Sequence, residues 1–212
     1  MSTSDTVEPE RALRQGLLEL IASRRSVAPK RLRLPGPSDG EIIQMIAAAL
    51  TAPDHGALRP WRFIHVTDTA RASLAEVFVE AKRRRLPAAG PEVLDREREK
   101  ALNGPCLLVA CARLTPDAAG IPVHEQLVSV GAAVQNLLLA AHALGYGAML
   151  VSGEKARDDL VRAAFDLRAD EILIGFIAIG AIGSPRPGRP RASVEEHLSR
   201  WTGPSAAKAP EA

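Results

Sequence analysis

Residues 127–144 run without a charged side chain, interrupted only by Ser129, Gln135, Asn136 and His142. Preceded by Glu125 and closed by Gly145, the stretch reads as one helix over 125–144. It is apolar or small on nearly every side and offers water no polar face, so it has to be enclosed by other elements or by a partner subunit. The polar interruptions make it a poor bilayer span and a good core helix. A chain of 212 residues and 22.6 kDa, 46% hydrophobic and 25% charged, is long enough to build that enclosure as one soluble domain without disulfides or metal.

The remaining elements follow from periodicity and punctuation. Residues 1–10 read as a disordered tail, and a helix over 11–24 carries Leu13, Leu17, Leu18, Leu20 and Ile21 on one stripe. Ser38 with Glu41 three residues on is a capping box that opens a helix over 41–50. A strand over 61–66 precedes a helix led by Thr67 and Asp68, and the charge-dense segment 91–102 reads as a solvated helix serving as a mobile cover. The run 105–111 is a buried strand that sends Cys106 and Cys111 to opposite faces, roughly 16 Å apart at about 3.3 Å per residue, too far for a disulfide. Short strands over 148–151 and 172–179 flank a helix led by Ser152 and reaching Phe165. Residues 183–202 form an extended arm with a short helix near 194–201, and 203–212 read as disordered. Residues 11–202 are thus one domain, and four strands mixed with helices without strict alternation favour an α+β fold over a doubly wound sheet.

Charge and motif content exclude several functions. A net charge of +2 from 27 basic and 25 acidic residues gives no global field for nucleic acid or a membrane surface. The basic run 82–85, with the arginines of 186–191, is the whole support for a nucleic-acid-binding alternative, and no aromatic residues are interleaved with it. The five histidines have no metal-ligand spacing, and dinucleotide-binding, phosphate-loop and serine-elbow motifs are absent. A polar, acidic N-terminus without an apolar core, together with two unpaired thiols, points to the cytoplasm. No metal, nucleic acid or membrane is expected as a partner.

Three segments stand out together. Arg24, Arg25 and Ser26 leave a helix with guanidinium forks and a hydroxyl, a set suited to a phosphate and its sugar. Residues 52–61 crowd Pro53, Asp54, His55, Arg59 and Pro60 before Trp61, and Ser152–Gly153 forms a strand-to-helix turn at which backbone can approach a flat ligand. Taken singly, each is a helix end, a rigid turn or a cap.

Their order, R-R-S-V, then A-P-D-H with R-P-W, then the long helix after His124-Glu125-Gln126, then S-G, resembles the nitroreductase family of flavin enzymes, most closely its short NAD(P)H nitroreductase branch. The likeness runs in register from about Leu17 to Gly180. It implies a three-layer α+β sandwich, a mixed and mainly antiparallel sheet flanked by helices, and a homodimer built on the long helix with two FMN sites at the interface. Arg24, Arg25 and Ser26 would then meet phosphate and ribityl, with Arg189 and Arg191 returning from the arm. Leu150, Val151, Ser152 and Gly153 would lie against the isoalloxazine, His55 would contact the flavin and face the substrate as the catalytic-site residue, and His124 and Ser129 would lie on the nicotinamide side. The chain departs from the pattern at Ala57, where the broader family has Asn, at Arg59, where the branch has Gln, and at His124, where the branch has Trp. The implied activity is ping-pong hydride transfer from NAD(P)H through flavin N5 to a small electron-poor acceptor such as a nitroaromatic or quinone. A flavin-binding or sensing module without fast turnover is the alternative.

Overall fold

The computed structural model describes residues 4–116, 118, 120–184, 188 and 190–203, and for 4–10 the backbone alone. The chain order is α1 (Ser4–Ser23), β1 (Leu32–Arg33), α2 (Asp39–Ala49), β2 (Trp61–His65), α3 (Asp68–Arg85), α4 (Pro91–Leu102), β3 (Cys106–Arg113), α5 (Val123–Ala143), β4 (Gly147–Val151), α6 (Asp159–Ala164) and β5 (Glu171–Ile182). The sheet order is β1-β5-β3-β2, with β4 also paired to β5. Every strand pair is antiparallel, and a single parallel bridge, Ser26 to Ala148, makes the pattern mixed.

The sheet is the middle of three layers because β3 and β5 are apolar on both faces. Leu107, Val109 and Cys111 of β3 face Leu74, Phe78 and Val161 of α3 and α6, whereas Cys106, Leu108 and Ala110 face Met45 of α2 and Leu137 and Ala141 of α5. The two thiols therefore lie on opposite faces, as their spacing predicts. In β5 the alternation slips by one residue. Leu173 and Phe176 share the α3 face, Ile177 and Ile179 the α5 face, and the register with β3 skips Ile174 between Cys111–Leu173 and Ala110–Gly175. Gly175 sits at this bulge, where a Cβ would come within 2.7 Å of the Val151 carbonyl oxygen.

Local signals are mostly obeyed. Ser38 accepts from Glu41 N while the Glu41 carboxylate accepts from Ser38 N, the reciprocal capping box. Several sequence expectations are corrected. Helical backbone starts at Ser4 rather than Arg11, so the expected tail is largely part of α1. Most charged residues of α4 are exposed, as expected of a solvated helix, but the helix is docked on α3: Glu97 and Ala101 are buried, and Arg71 donates to the carbonyls of Ala101, Asn103 and Gly104 at 2.5, 3.2 and 2.9 Å, closing the C-terminal end of α4. Glu92, Asp95 and Glu97 of this helix stand in ion pairs, Glu97 with both Lys100 and Lys155. The helix expected from Ser152 is instead a 3-10 turn, Glu154–Arg157, followed by α6, whose cap is Asp158 accepting from Leu160 N at 3.1 Å. The short helix near residue 194 is a single turn in an otherwise irregular arm, and the expected strands gain the two-residue β1. The expected disordered end lies outside the described residues beyond Gly203.

Among the described residues α5 is the one helix long and apolar enough to cross a membrane by length and composition. Its Val130, Ala133, Val134, Leu137, Leu138 and Ala141 are buried in this domain, whereas Leu127 and Val128 are exposed. The stripe of α1 is likewise exposed at Leu13, Leu17, Leu18 and Ile21.

Candidate functional site

The first group of expected residues collects at the C-terminal end of α1. Arg24 continues the helix, donating its backbone N–H to Leu20 at 3.2 Å, and Val27 N donates to the Ala148 carbonyl at 3.1 Å, which ties the R-R-S segment to the start of β4. The terminal carbonyls of α1 then gather cations, as the negative end of a helix does. Arg25 Nη1 donates to Ala22 O at 2.7 Å, and Arg191 Nη2 donates to Ala22 O at 3.1 Å and to Arg24 O at 2.7 Å. The arm packs closely here, since a Cβ on Gly188 would stand 2.5 Å from Arg25 Nε. Arg189 lies outside the described residues.

Among the described residues, Arg24, Arg25 and Arg191 take part in no salt bridge, in contrast to Arg62, Arg83, Arg84, Arg85, Arg96, Arg98, Arg113 and Arg168, each of which faces a carboxylate. Burial, followed by the charges of Arg191 and Arg25, presses the Arg24 pKa below its ordinary value. Three guanidinium groups held together without an acid form a site that an anion rich in oxygens would relax.

The second expected element adjoins the first through β4. Leu150 and Val151 end the strand, half-buried, and Ser152 and Gly153 are exposed. Gly153 has φ 116° and ψ −159°, a region open almost only to glycine, and a Cβ there would meet no atom within 4 Å. The turn therefore offers bare backbone beside open space. Gly153, not Ser152, stands at the cap position of the following 3-10 turn, and it has no side chain to cap it.

The third element lies elsewhere. His55 opens a 3-10 turn, His55–Ala57; Gly56 and Ala57 within it and Arg59 just after it have φ of 72°, 52° and 51°. Two non-glycine residues in the left-handed region store strain, and the Asp54 carboxylate holds them there by accepting from Arg59 N at 2.6 Å. The departures at Ala57 and Arg59 thus coincide with the strained backbone. His55 Nδ1 lies 2.8 Å from Glu125 Oε2, on the first turn of α5, and both side chains are substantially exposed. Sequence reasoning missed Glu125; its only signal was its place beside His124, because its partner is seventy residues away. His124 is exposed on the same turn. Ser129 is not at the surface: it is 6% exposed and its hydroxyl donates back to the Glu125 carbonyl at 3.3 Å. Within one chain it lies inside the helix packing.

The groups fall at opposite ends of α5. Ser23, next to Arg24, has its Oγ 2.9 Å from His142 Nε2 near the C-terminal end, while His55 meets Glu125 at the N-terminal end. At 1.5 Å per residue, Glu125 and His142 are about 26 Å apart along the helix. Within one chain the two groups are therefore separate.

This architecture, a three-layer α+β sandwich whose polar residues collect at the two ends of a long apolar helix, defines the class. The family model for the nitroreductase family matches residues 21–181. The Escherichia coli (strain K12) protein YdjA, provisionally named an NAD(P)H nitroreductase, is 30% identical over 165 residues, covering 77% of this chain and 86% of YdjA. A nitroreductase-like protein from Bacillus cereus superposes with a TM-score of 0.74 at 21% identity, covering 88% of this chain and 96% of that one. A protein assigned as a nitroreductase from Desulfovibrio desulfuricans, solved in complex with FMN, superposes at 0.68 with 23% identity over 88% and 97% of the two chains. The chain belongs to the nitroreductase family.

Proposed function

We propose that the protein is an FMN-dependent NAD(P)H oxidoreductase of the cytoplasm, active as a homodimer, that reduces a small electron-poor acceptor such as a nitroaromatic or quinone. The observation that carries this reading is the cluster of Arg24, Arg25 and Arg191 without a carboxylate among the described residues, linked through β4 to the bare turn at Gly153. Those residues fit a phosphorylated flat cofactor. The guanidinium forks would hold the phosphate, Ser26 the ribityl oxygens, and the backbone of Leu150, Val151, Ser152 and Gly153 would lie against the ring system. Bound FMN would supply the redox chemistry, taking a hydride from NAD(P)H and passing it to the acceptor. The names of YdjA and of the FMN complex support the same cofactor and donor.

The separation of the two groups supports the homodimer. Glu125, beside His55, and His142, beside the arginine cluster, stand about 26 Å apart along α5, beyond the reach of one flavin, so in this reading a second copy would bring its arginine end to this chain's His55. Val128 at 71% exposure and Leu13 at 74% mark the apolar surface that such a partner would cover.

The test is the visible spectrum of the purified protein, followed by acid release and chromatography of the pigment. Released FMN supports the reading, and replacing Arg24 and Arg25 together by Ala should abolish it. A colourless protein that takes up no added FMN, or full FMN occupancy in the double variant, would overturn the phosphate assignment. Anaerobic addition of NADH or NADPH then separates a reductase, which bleaches promptly, from a binding or sensing module, which does not. Sedimentation showing a monomer at micromolar concentration would remove the shared site.

A further inference from the structure

We infer that Glu125 is a positioning residue that fixes the tautomer of His55, so that the site presents a hydrogen-bond acceptor and selects the N–H-bearing carboxamide of reduced nicotinamide. This rests on the oxidoreductase reading above. Glu125 Oε2 lies 2.8 Å from His55 Nδ1. An ionised carboxylate only accepts, so the proton between them belongs to Nδ1, and in the neutral ring Nε2 carries the lone pair. His55 Nδ1 is thereby committed, while the side chain stays 62% exposed and leaves Nε2 open to a ligand.

The surroundings favour one geometry. The carboxylate next to His55 in the loop, Asp54, is already engaged by Arg59 N, and the backbone of residues 56–59 is locked by three left-handed residues. Ile121 packs so close to Gly56 that a Cβ would come within 2.3 Å of its Cδ1. Glu125 is carried on the first turn of α5, the helix that the sheet packs against. The charged and titratable groups around the pair are Asp54, Arg59 and the exposed His124. Of the two reactants in the proposed cycle, a quinone or nitroaromatic offers only acceptor oxygens, whereas the nicotinamide carboxamide carries an N–H. An acceptor at Nε2 therefore matches the electron donor rather than its oxidant.

The ring nitrogens can be read directly by ¹⁵N NMR at about pH 8.5, where imidazoles as a class are neutral. Wild-type protein should show His55 protonated at Nδ1 and bare at Nε2. Glu125→Gln, which keeps an acceptor oxygen, should preserve that pattern, and Glu125→Ala should shift it toward protonation at Nε2. A wild-type ring protonated at Nε2, or a pattern unchanged in Glu125→Ala, would overturn the inference, and either result is obtained whether or not the protein carries flavin. In the flavin-loaded protein, Glu125→Ala should raise the KM for NADH about fivefold, the worth of one hydrogen bond, with Glu125→Gln close to wild type. The reduced acetylpyridine analogue, which lacks the N–H, should be unaffected. Equal effects on both donors would likewise overturn it. A protein without flavin refutes the functional reading alone.

Discussion

Replacing Lys155 by Met should destabilise the fold by about 3 kcal/mol. Lys155 Nζ is 3.1 Å from Glu97 Oε1, with the two side chains 10% and 5% exposed, and it stands 4.4 Å above the Phe78 ring. Methionine refills the volume but leaves a buried carboxylate with one partner, Lys100, at 2.6 Å. Removing one member of a buried pair costs about 3–5 kcal/mol, because the remaining charge stays out of water. The surviving contact to Lys100 sets the value at the low end. For a domain of this size the melting temperature should fall by roughly 6–12 °C. Urea unfolding at one fixed protein concentration measures the loss without interference from association.

The pH dependence has a definite sign. Burial is the largest influence on Glu97 and pushes its pKa up, but Lys100 and Lys155 together outweigh it and hold the carboxyl below its ordinary 4.5. A depressed folded-state pKa contributes stability that is present above the unfolded value and is lost as pH falls through the folded one. The gap between wild type and Lys155→Met should be widest near neutrality and should narrow below about pH 4. Burial lowers the pKa of Lys155 itself, so at neutral pH the folded state bears a cost for keeping it charged. Replacing both residues, Lys155→Met with Glu97→Leu, should accordingly recover most of the stability. A single variant within about 0.5 kcal/mol of wild type, or a double variant no more stable than the single, would refute the reasoning.

Two further outcomes follow from the geometry. Gly56→Ala meets Ile121 Cδ1 at 2.3 Å with φ at 72°, so it should cost about 1–3 kcal/mol in urea unfolding, and adding Ile121→Ala should recover part of the loss; wild-type stability in the single variant would show that the loop has room to move. Burial raises the thiols of Cys106 and Cys111 to about 11, so an aromatic disulfide reagent at about pH 8 should label neither in the native protein and both in denaturant; rapid native labelling would mean that the central strand opens.

What could be read ahead of the structure was local. The capping box at Ser38 and Glu41 needs only residues three apart, and the opposed thiols need only the two-residue period of a strand. The cation cluster was legible in part, since Arg24 and Arg25 are adjacent, while the return of Arg191 to the Ala22 and Arg24 carbonyls depended on the resemblance. Segment α4 was misread because its charges look solvated until Lys155, fifty-eight residues on, turns toward Glu97. Ser152 fits a cap by type, yet the Gly153 torsions break the helix before it can form.

By itself the sequence determined that a long helix without charges must be enclosed, that the fold is α+β, and that arginines and a hydroxyl leave the first helix together. Those features depend on neighbours along the chain, through hydrophobic period, capping and turn chemistry. Only the tertiary structure decided that the long helix holds the arginine end and the His55 end about 26 Å apart, that Glu125 is the partner of His55, and that β5 changes phase at Gly175. Each of these joins residues far apart in sequence, whose approach is set by how layers pack and by which polar groups are left needing a partner, and neither quantity is written in any local stretch.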